Sequence, residues 1–388
     1  MTEPDRQRRC WAEIDLDALR HNAAVCRRQA PPGAEVMAVV KADAYGHGLE
    51  RVGPALADVV DVFGVANVRE AERLHRALGE TGAPTGRDIV VLGPALPAER
   101  EALVAGGHVA CVSSAGEAAA YSEAAKAAGQ TARLHLAVDT GMGRMGVLPG
   151  DFEAAVETLR TLRNVRFEGV ASHFPSADEE PDFTRSQIAQ FRRLVEIASS
   201  RAGVPRFRVH VANSAGLLGF SNELGFTTLA RPGLALYGVS PLPEYPSELR
   251  PALSLRTRIT LARDLPAGST ISYGRTHTLK HPARVATLGI GYGDGYPRRV
   301  SGRGADALVR GRRCPLLGRV TMDQVVIDIS VLDGEAVGPG DEAVLIGAQG
   351  NESIPVTEIA EKAGAIPWEI LTGITSRVER VYPPLSGT

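Results

Sequence analysis

Val36-Met37-Ala38-Val39-Val40-Lys41, continued by Ala42-Asp43-Ala44-Tyr45-Gly46-His47-Gly48, is the stretch from which the fold can be read. It is apolar at every position up to the lysine, without alternation, as a strand covered on both faces of a parallel sheet must be. Seven further short, mainly apolar runs follow, at Val62–Ala66, Ile89–Leu92, Val109–Val112, Leu134–Val138, Phe167–Ala171, Phe207–Val211 and Thr227–Ala230. Between them lie amphipathic, often Ala- and Glu-rich segments such as Arg69–Leu78, Ala115–Ala128 and Phe183–Ala202, and a helical stretch from Asp17 to Arg28 leads in. Strand alternating with helix, eight times over roughly 230 residues, predicts a (β/α)8 TIM barrel rather than an open doubly wound sheet.

The rhythm stops at Pro241-Leu242-Pro243-Glu244-Tyr245-Pro246, which can continue neither a helix nor a central strand. Beyond it the pattern turns to β-like runs broken by glycine turns, at Leu255–Leu261, Arg284–Leu288, Ala307–Val309, Val325–Ile329 and Ala343–Ile346, with one short helix near Val356–Ala363. The expected architecture is of the α/β class: a barrel over residues 11–242, then a mainly β C-terminal domain over residues 243–388, with residues 1–10 able to pack against the latter.

Composition narrows the chemistry. With 388 residues, 44% apolar content and a formal charge of -2, the chain can bury a large core and carries no basic excess for nucleic acid or an acidic membrane surface. Cys10, Cys26, Cys111 and Cys314 lie far apart, forming neither a CxxC metal signature nor a disulfide framework, so reduced thiols and no metal site are expected. Met1 to Cys10 is charged, without the apolar core of a signal peptide, and no apolar run approaches a membrane span. A cytoplasmic protein acting on a small molecule is the expectation.

A lysine closing a buried strand sits where desolvation lowers its pKa, leaving a neutral amine able to form an imine with an aldehyde cofactor, which suggests pyridoxal phosphate. In isolation, Val-Val-Lys is more often a strand end with its ammonium in solvent. Other polar residues decide the matter by falling at the same mouth of the barrel, where the active sites of such folds are built. Lys41 and Tyr45 follow the first strand, Asp139-Thr140-Gly141-Met142-Gly143-Arg144 the fifth, His173 the sixth, Asn213-Ser214 the seventh and Arg231-Pro232-Gly233 the eighth.

With these residues the chain resembles the alanine racemase family, pyridoxal-phosphate enzymes with a barrel and a C-terminal β domain. The resemblance runs from Ala12-Glu13-Ile14-Asp15 to Arg377-Val378 and is carried by Val40–Gly48, Asp139–Arg144, Arg231-Pro232-Gly233, Ser272-Tyr273-Gly274 and Gly291-Tyr292-Gly293-Asp294-Gly295. It implies that Lys41 binds the cofactor covalently and serves as one catalytic base, with Tyr273 of a partner subunit as the base on the opposite face. Two bases are needed because racemisation removes a proton from one face of Cα and returns one to the other. By the same resemblance Arg231 hydrogen-bonds the pyridine nitrogen, His173 lies beside the ring, and Tyr45, Asn213, Ser214, Gly233 and Leu234 serve the cofactor and its phosphate. Arg144 would meet both cofactor and substrate carboxylate. Met322, Asp323 and Tyr292 would complete the substrate pocket, with Arg298 and Arg319 near its approach.

Two positions depart from the family pattern. Members often read Lys-Val-Asp-Thr-Gly-Met-Gly-Arg, the first lysine being carbamylated to orient the arginine; here that position is Ala137, so a bound chloride or an acidic side chain from elsewhere is expected to hold Arg144. Ser376 stands where some members place a tyrosine that confines the substrate side chain. The reading is a homodimeric amino-acid racemase interconverting L- and D-alanine, in D-alanine biosynthesis, with active sites shared between subunits. Its alternatives are a racemase of broader or different specificity such as serine, a pyridoxal-phosphate decarboxylase, and a non-catalytic carrier of the cofactor.

Overall fold

The computed structural model describes residues 7–84, 86–202, 207–242 and 248–384. They divide into two compact units. The first takes in the described parts of Leu19–Ala44 and Gly48–Arg250; the second takes in those of Met1–Ala18, Tyr45–His47 and Pro251–Thr388. The strand that comes first in the chain, β1 (Cys10–Ile14), belongs to the second unit.

The first unit is built on β2 (Glu35–Val39), β3 (Val62–Val65), β4 (Asp88–Val91), β5 (Val109–Val112), β6 (Ala132–Ala137), β7 (Val165–Ala171), β8 (Arg208–His210) and β9 (Leu229–Ala230). They run in parallel in the order β8-β7-β6-β5-β4-β3-β2-β9. Thr228 N–H to Val209 O (3.0 Å) and Arg231 N–H to Ala212 O (3.0 Å) tie the last segment to the one following β8 and close the ring. All eight apolar runs are strands, because a core on the inside and helices on the outside leave no polar face. Val62-Phe63-Gly64-Val65 shows how tight the interior is: a Cβ on Gly64 would lie 2.7 Å from Met37 Sδ.

The N-terminal ends of these strands carry charges that a barrel floor cannot leave alone. Arg208 donates to Glu35 (2.8 Å) and Asp88 (2.6 Å), Arg133 to Asp88 and to Glu168 (2.8 Å), and Arg166 to Glu168. Burial alone would raise the Asp88 pKa, but the hydrogen bonds from Arg133 and Arg208 outweigh it and hold the carboxyl well below the usual range.

In the second unit β10 (Leu253–Leu265) is the organising strand. Leu253, Leu255, Thr257 and Ile259 are buried in alternation with partly exposed Ser254, Arg256 and Arg258, as a half-covered antiparallel strand requires. A short hairpin of β11 (Thr270–Ile271) and β12 (His277–Thr278) follows, then β13 (Ala283–Leu288), β14 (Asp306–Val309), β15 (Arg312–Leu317), β16 (Val325–Asp328), β17 (Glu342–Gln349), β18 (Glu352–Ile354) and β19 (Glu379–Val381). The main sheet has the order β18-β17-β14-β15-β16-β13-β10-β1-β19, with β17 also paired to β10.

Residues 11–14, which the sequence reading puts at the start of the barrel, pair here instead: Ala12 stands opposite Leu255 in β10 and beside Arg380 in β19. The helix Val356–Ala363 is present, and a second, Pro367–Gly373, follows it. The proline-rich boundary lies, from Pro243 to Pro246, outside the described residues. Tyr45–His47 counts with this unit because Arg380 Nε donates to Gly46 O (3.0 Å) and Tyr382 Oη to His47 O (2.9 Å). Gly46, at φ +80° with a would-be Cβ 2.3 Å from Leu371 O, can only be glycine.

Candidate active site

Lys41 follows β2 directly after Val40, at the C-terminal mouth of the barrel. The chain then does something rare for residues with side chains. Ala42, Asp43 and Ala44 adopt left-handed helical angles near (53°, 52°), (55°, 46°) and (53°, 51°), and Tyr45 has φ 52°. Each such residue costs about 1–2 kcal/mol. The turn is closed by Ala44 N–H to Val40 O (2.9 Å) and Gly48 N–H to Asp43 O (2.9 Å). Burial lowers the Lys41 pKa, Arg144 and Arg231 lower it further, and Glu70 acts in the opposite sense. Tyr45 is buried, and desolvation pushes its phenol up to about 12.

Arg231, buried at the end of β9, is held on several sides. Its Nη1 donates to His210 Nδ1 (2.8 Å), and its Nη2 is shared among Ser172 O (2.6 Å), His173 Nδ1 (3.0 Å) and Val211 O (3.1 Å). Burial lowers its pKa to about 10, which leaves it protonated at neutral pH. A guanidinium only donates, so both histidines must accept through Nδ1 and carry their proton on Nε2. His210 Nε2 then donates to His135 Nδ1 (2.8 Å), and His135 Nε2 finds no partner among the described residues. Desolvation first, then the positive charge of Arg231, keeps His173 and His210 neutral well below the usual histidine pKa.

Asn213 caps the short helix Ser214–Phe220, its Oδ1 accepting Gly216 N–H (2.9 Å) while its Nδ2 donates to Phe174 O (3.1 Å). Ser214 Oγ accepts the amides of Gly233 (2.9 Å) and Ala235 (3.1 Å), so it draws the turn containing Gly233 and Leu234 against the start of that helix. Gly233, expected to aim its amide at a phosphate, gives that amide to Ser214.

In the Asp139–Arg144 loop, Asp139 Oδ1 accepts the amides of Gly141 (2.9 Å), Met142 (2.8 Å) and Gly143 (3.1 Å). Burial opposes its ionisation, but these bonds and the charge of Arg144 bring its pKa down. Arg144 itself is exposed, and the described residues offer it no hydrogen bond or ion pair. Ala137, buried at the end of β6, presents only a methyl group where the family often has its carbamylated lysine. No acidic side chain of the described residues takes over that role.

The remaining sequence candidates lie in the second unit. Tyr273 sits between Ser272 (φ 63°) and Gly274 (φ 72°) in the β11–β12 hairpin, and a Cβ on Gly274 would lie 2.9 Å from the Arg319 guanidinium. Tyr273 (72% exposed), Met322 (51%) and Tyr292 (41%), with Asp323, line a cavity of about 890 Å3. Asp323 is held by Arg377 (2.7 Å), which also reaches buried Asp294 (3.2 Å). Ser376 is exposed beside it, as is Arg298 on its own short turn. The two expected bases are thus divided between units, Lys41 with the barrel and Tyr273 with the β sheet.

Sequence reasoning missed His210, His135, Glu70 and Arg377. The two histidines left a faint signal, as polar residues inside the apolar runs Phe207–Val211 and Leu134–Val138.

Comparison with known proteins agrees with this geometry over nearly the whole chain. Residues 14–241 match the family model "Alanine racemase, N-terminal domain" and residues 252–382 the model "Alanine racemase, C-terminal domain". The chain belongs to the alanine racemase family. A relative named alanine racemase from Symbiobacterium thermophilum is 42% identical over 385 residues, covering 97% of this chain and 98% of that protein. Among solved structures, the alanine racemase of Streptomyces coelicolor A3(2) superposes with a TM-score of 0.88 at 37% identity, covering 98% and 99% of the two chains. That of Bartonella henselae, described with covalently bound pyridoxal phosphate, superposes with a TM-score of 0.84 at 26% identity, covering 97% and 100%. Like its relatives, this member of the alanine racemase family combines a (β/α)8 barrel with a mainly β C-terminal unit.

Proposed function

We propose that this protein is a pyridoxal-phosphate-dependent alanine racemase in which Lys41 of one subunit and Tyr273 of another work on opposite faces of the substrate. The observation that carries the reading is the barrel mouth: a desolvated lysine flanked by Arg144 and by an Arg231 that four groups hold in place. This donor set fits the cofactor. An amine whose proton is easily lost suits the aldehyde, two guanidiniums suit an anionic group, and Arg231 supplies fixed donors for a ring nitrogen.

When bound, pyridoxal phosphate supplies a π system that acidifies the Cα proton of the amino acid joined to it. The chain's own residues do the rest. Lys41 would hold the cofactor and, as a neutral amine, accept or return a proton at Nζ; Tyr273 would do the same at Oη. Tyr45, Asn213, Ser214, Gly233 and Leu234 would frame the phosphate, Gly233 through its turn rather than its amide. Arg231 would donate a hydrogen bond to the ring nitrogen while keeping its own proton, so it would leave the bound cofactor a weaker electron sink than a protonating carboxylate partner would. This favours racemisation over decarboxylation. Arg144 would meet the substrate carboxylate, with Met322, Asp323 and Tyr292 of the second subunit closing the pocket.

A shared site requires a homodimer. The exposed aromatic and thioether group around the cavity of the β unit is the kind of patch that another protein surface covers. Ser376 and Ala137 replace larger family residues, and this supports a second reading in which serine is also accepted. No helix among the described residues is long and apolar enough to cross a membrane, which supports the proposed cytoplasmic location.

Proton NMR in D2O with L-alanine and L-serine, followed by chiral separation, tests the function. α-Deuteration of L-alanine with accumulation of D-alanine is expected, with slower turnover of serine. Bound cofactor without α-exchange of either would leave only a carrier.

A further inference from the structure

The turn that starts at Lys41 is strained, and the structure shows what holds it. Glu70 and Arg73 lie three residues apart on one face of the helix Val68–Glu80. Glu70 Oε1 accepts the amide of Ala42 (2.8 Å) and its Oε2 the amide of Ala66, just after β3 (2.8 Å), so one carboxylate pins the first left-handed residue to the neighbouring strand. Arg73 donates to Asp43 Oδ1 (2.9 Å) and to Glu50 (2.7 and 2.9 Å), while Asp43 Oδ1 also accepts Leu49 N–H (3.2 Å). The Glu70 end is fixed in turn, since Asn67 Oδ1 caps its helix through Glu70 N–H (3.1 Å).

We propose that Glu70 and Arg73 are positioning residues for Lys41, gripping from one helix face the left-handed turn that the lysine opens. Resting on the reading that Lys41 carries the cofactor, the inference gives the two residues separable parts. Glu70 accepts backbone N–H bonds with both oxygens, a charge-assisted arrangement that glutamine cannot reproduce, because its amide nitrogen would face one of those donors. It also places a negative charge toward Lys41, against the positive charges of Arg144 and Arg231; His173, which also faces the lysine, is neutral. Arg73 is half exposed and acts on the turn through Asp43 alone. Loss of Glu70 therefore disturbs both geometry and proton affinity, whereas loss of Arg73 disturbs geometry only.

The test is covalent capture of pyridoxal phosphate by the cofactor-free full chain, followed by absorbance across pH and located by borohydride reduction and peptide mass. Capture joins Lys41 Nζ to the aldehyde carbon and releases water, so its rate reports the neutral amine. For Glu70→Gln the expected result is a pH midpoint of capture moved to lower pH, a maximal rate reduced about 10-fold, and a lower kcat with little change in KM. Arg73→Met should lower the maximal rate while leaving the midpoint in place, and it keeps the test open should Glu70→Gln fail to fold. A Glu70→Gln midpoint equal to that of the parent, or an Arg73→Met maximal rate equal to it, overturns the inference. If the parent captures no cofactor at Lys41, the functional reading itself falls, and this inference with it.

Discussion

The proposed chemistry rests on two side chains in opposite circumstances. Lys41 is desolvated and surrounded by positive charge, so burial and Arg144 and Arg231 all favour its neutral form. Tyr273 is 72% exposed in the single chain, on a hairpin with three positive-φ residues, and its phenol makes no hydrogen bond among the described residues. Tyr273→Phe should therefore leave the thermal unfolding midpoint unchanged while lowering racemisation by about 10²- to 10⁴-fold, the usual contribution of a positioned acid or base. In D2O the variant should still exchange the α-proton of one enantiomer, because Lys41 remains. Equal exchange of both enantiomers by the variant would show that Tyr273 is not the second base.

At the scale of elements, the barrel strands were legible because most are short runs dominated by apolar residues, as Val109–Val112 shows with four buried residues. Strands of the β unit that depart from that signal were not: β15 begins Arg312-Arg313, β18 and β19 have three residues each, and β1 needs partners from the far end of the chain to be a strand at all. The left-handed turn was hidden for a related reason. Only Asp43 in Ala42-Asp43-Ala44 is of a type that visits such backbone, and then as a single residue, while Glu70 and Arg73 read as the solvated face of an amphipathic helix.

Charge at the strand starts makes a prediction of its own. Asp88 serves Arg133 and Arg208 together, and Asp88→Ala would leave them only Glu168 and Glu35, at a cost of about 1–3 kcal/mol measurable by urea unfolding. The native Asp88 pKa lies below its unfolded value, so its stabilisation is complete above about pH 4 and fades as pH falls through the folded value. The parent should lose stability in acid while the variant loses less. Parallel acid curves for the two would contradict the network's role.

For the whole molecule, neither unit holds all of the proposed site residues. The barrel presents Lys41, Arg144 and Arg231, and the β unit presents Tyr273, Met322 and Asp323 around its own cavity. The motifs and the resemblance named the proposed site residues and implied their sharing between subunits; what would hold Arg144 was not legible, and with Ala137 at the lysine position Arg144 has no hydrogen bond or ion pair among the described residues. The measurement that reaches the central claim most directly uses two inactive variants. Lys41→Ala and Tyr273→Phe chains bearing different tags are co-expressed, and the mixed dimer is isolated through both tags and assayed with L-alanine. A site shared between subunits predicts recovered racemisation, because one of its two sites combines an intact Lys41 with an intact Tyr273. A mixed dimer as inactive as either parent variant would contradict it.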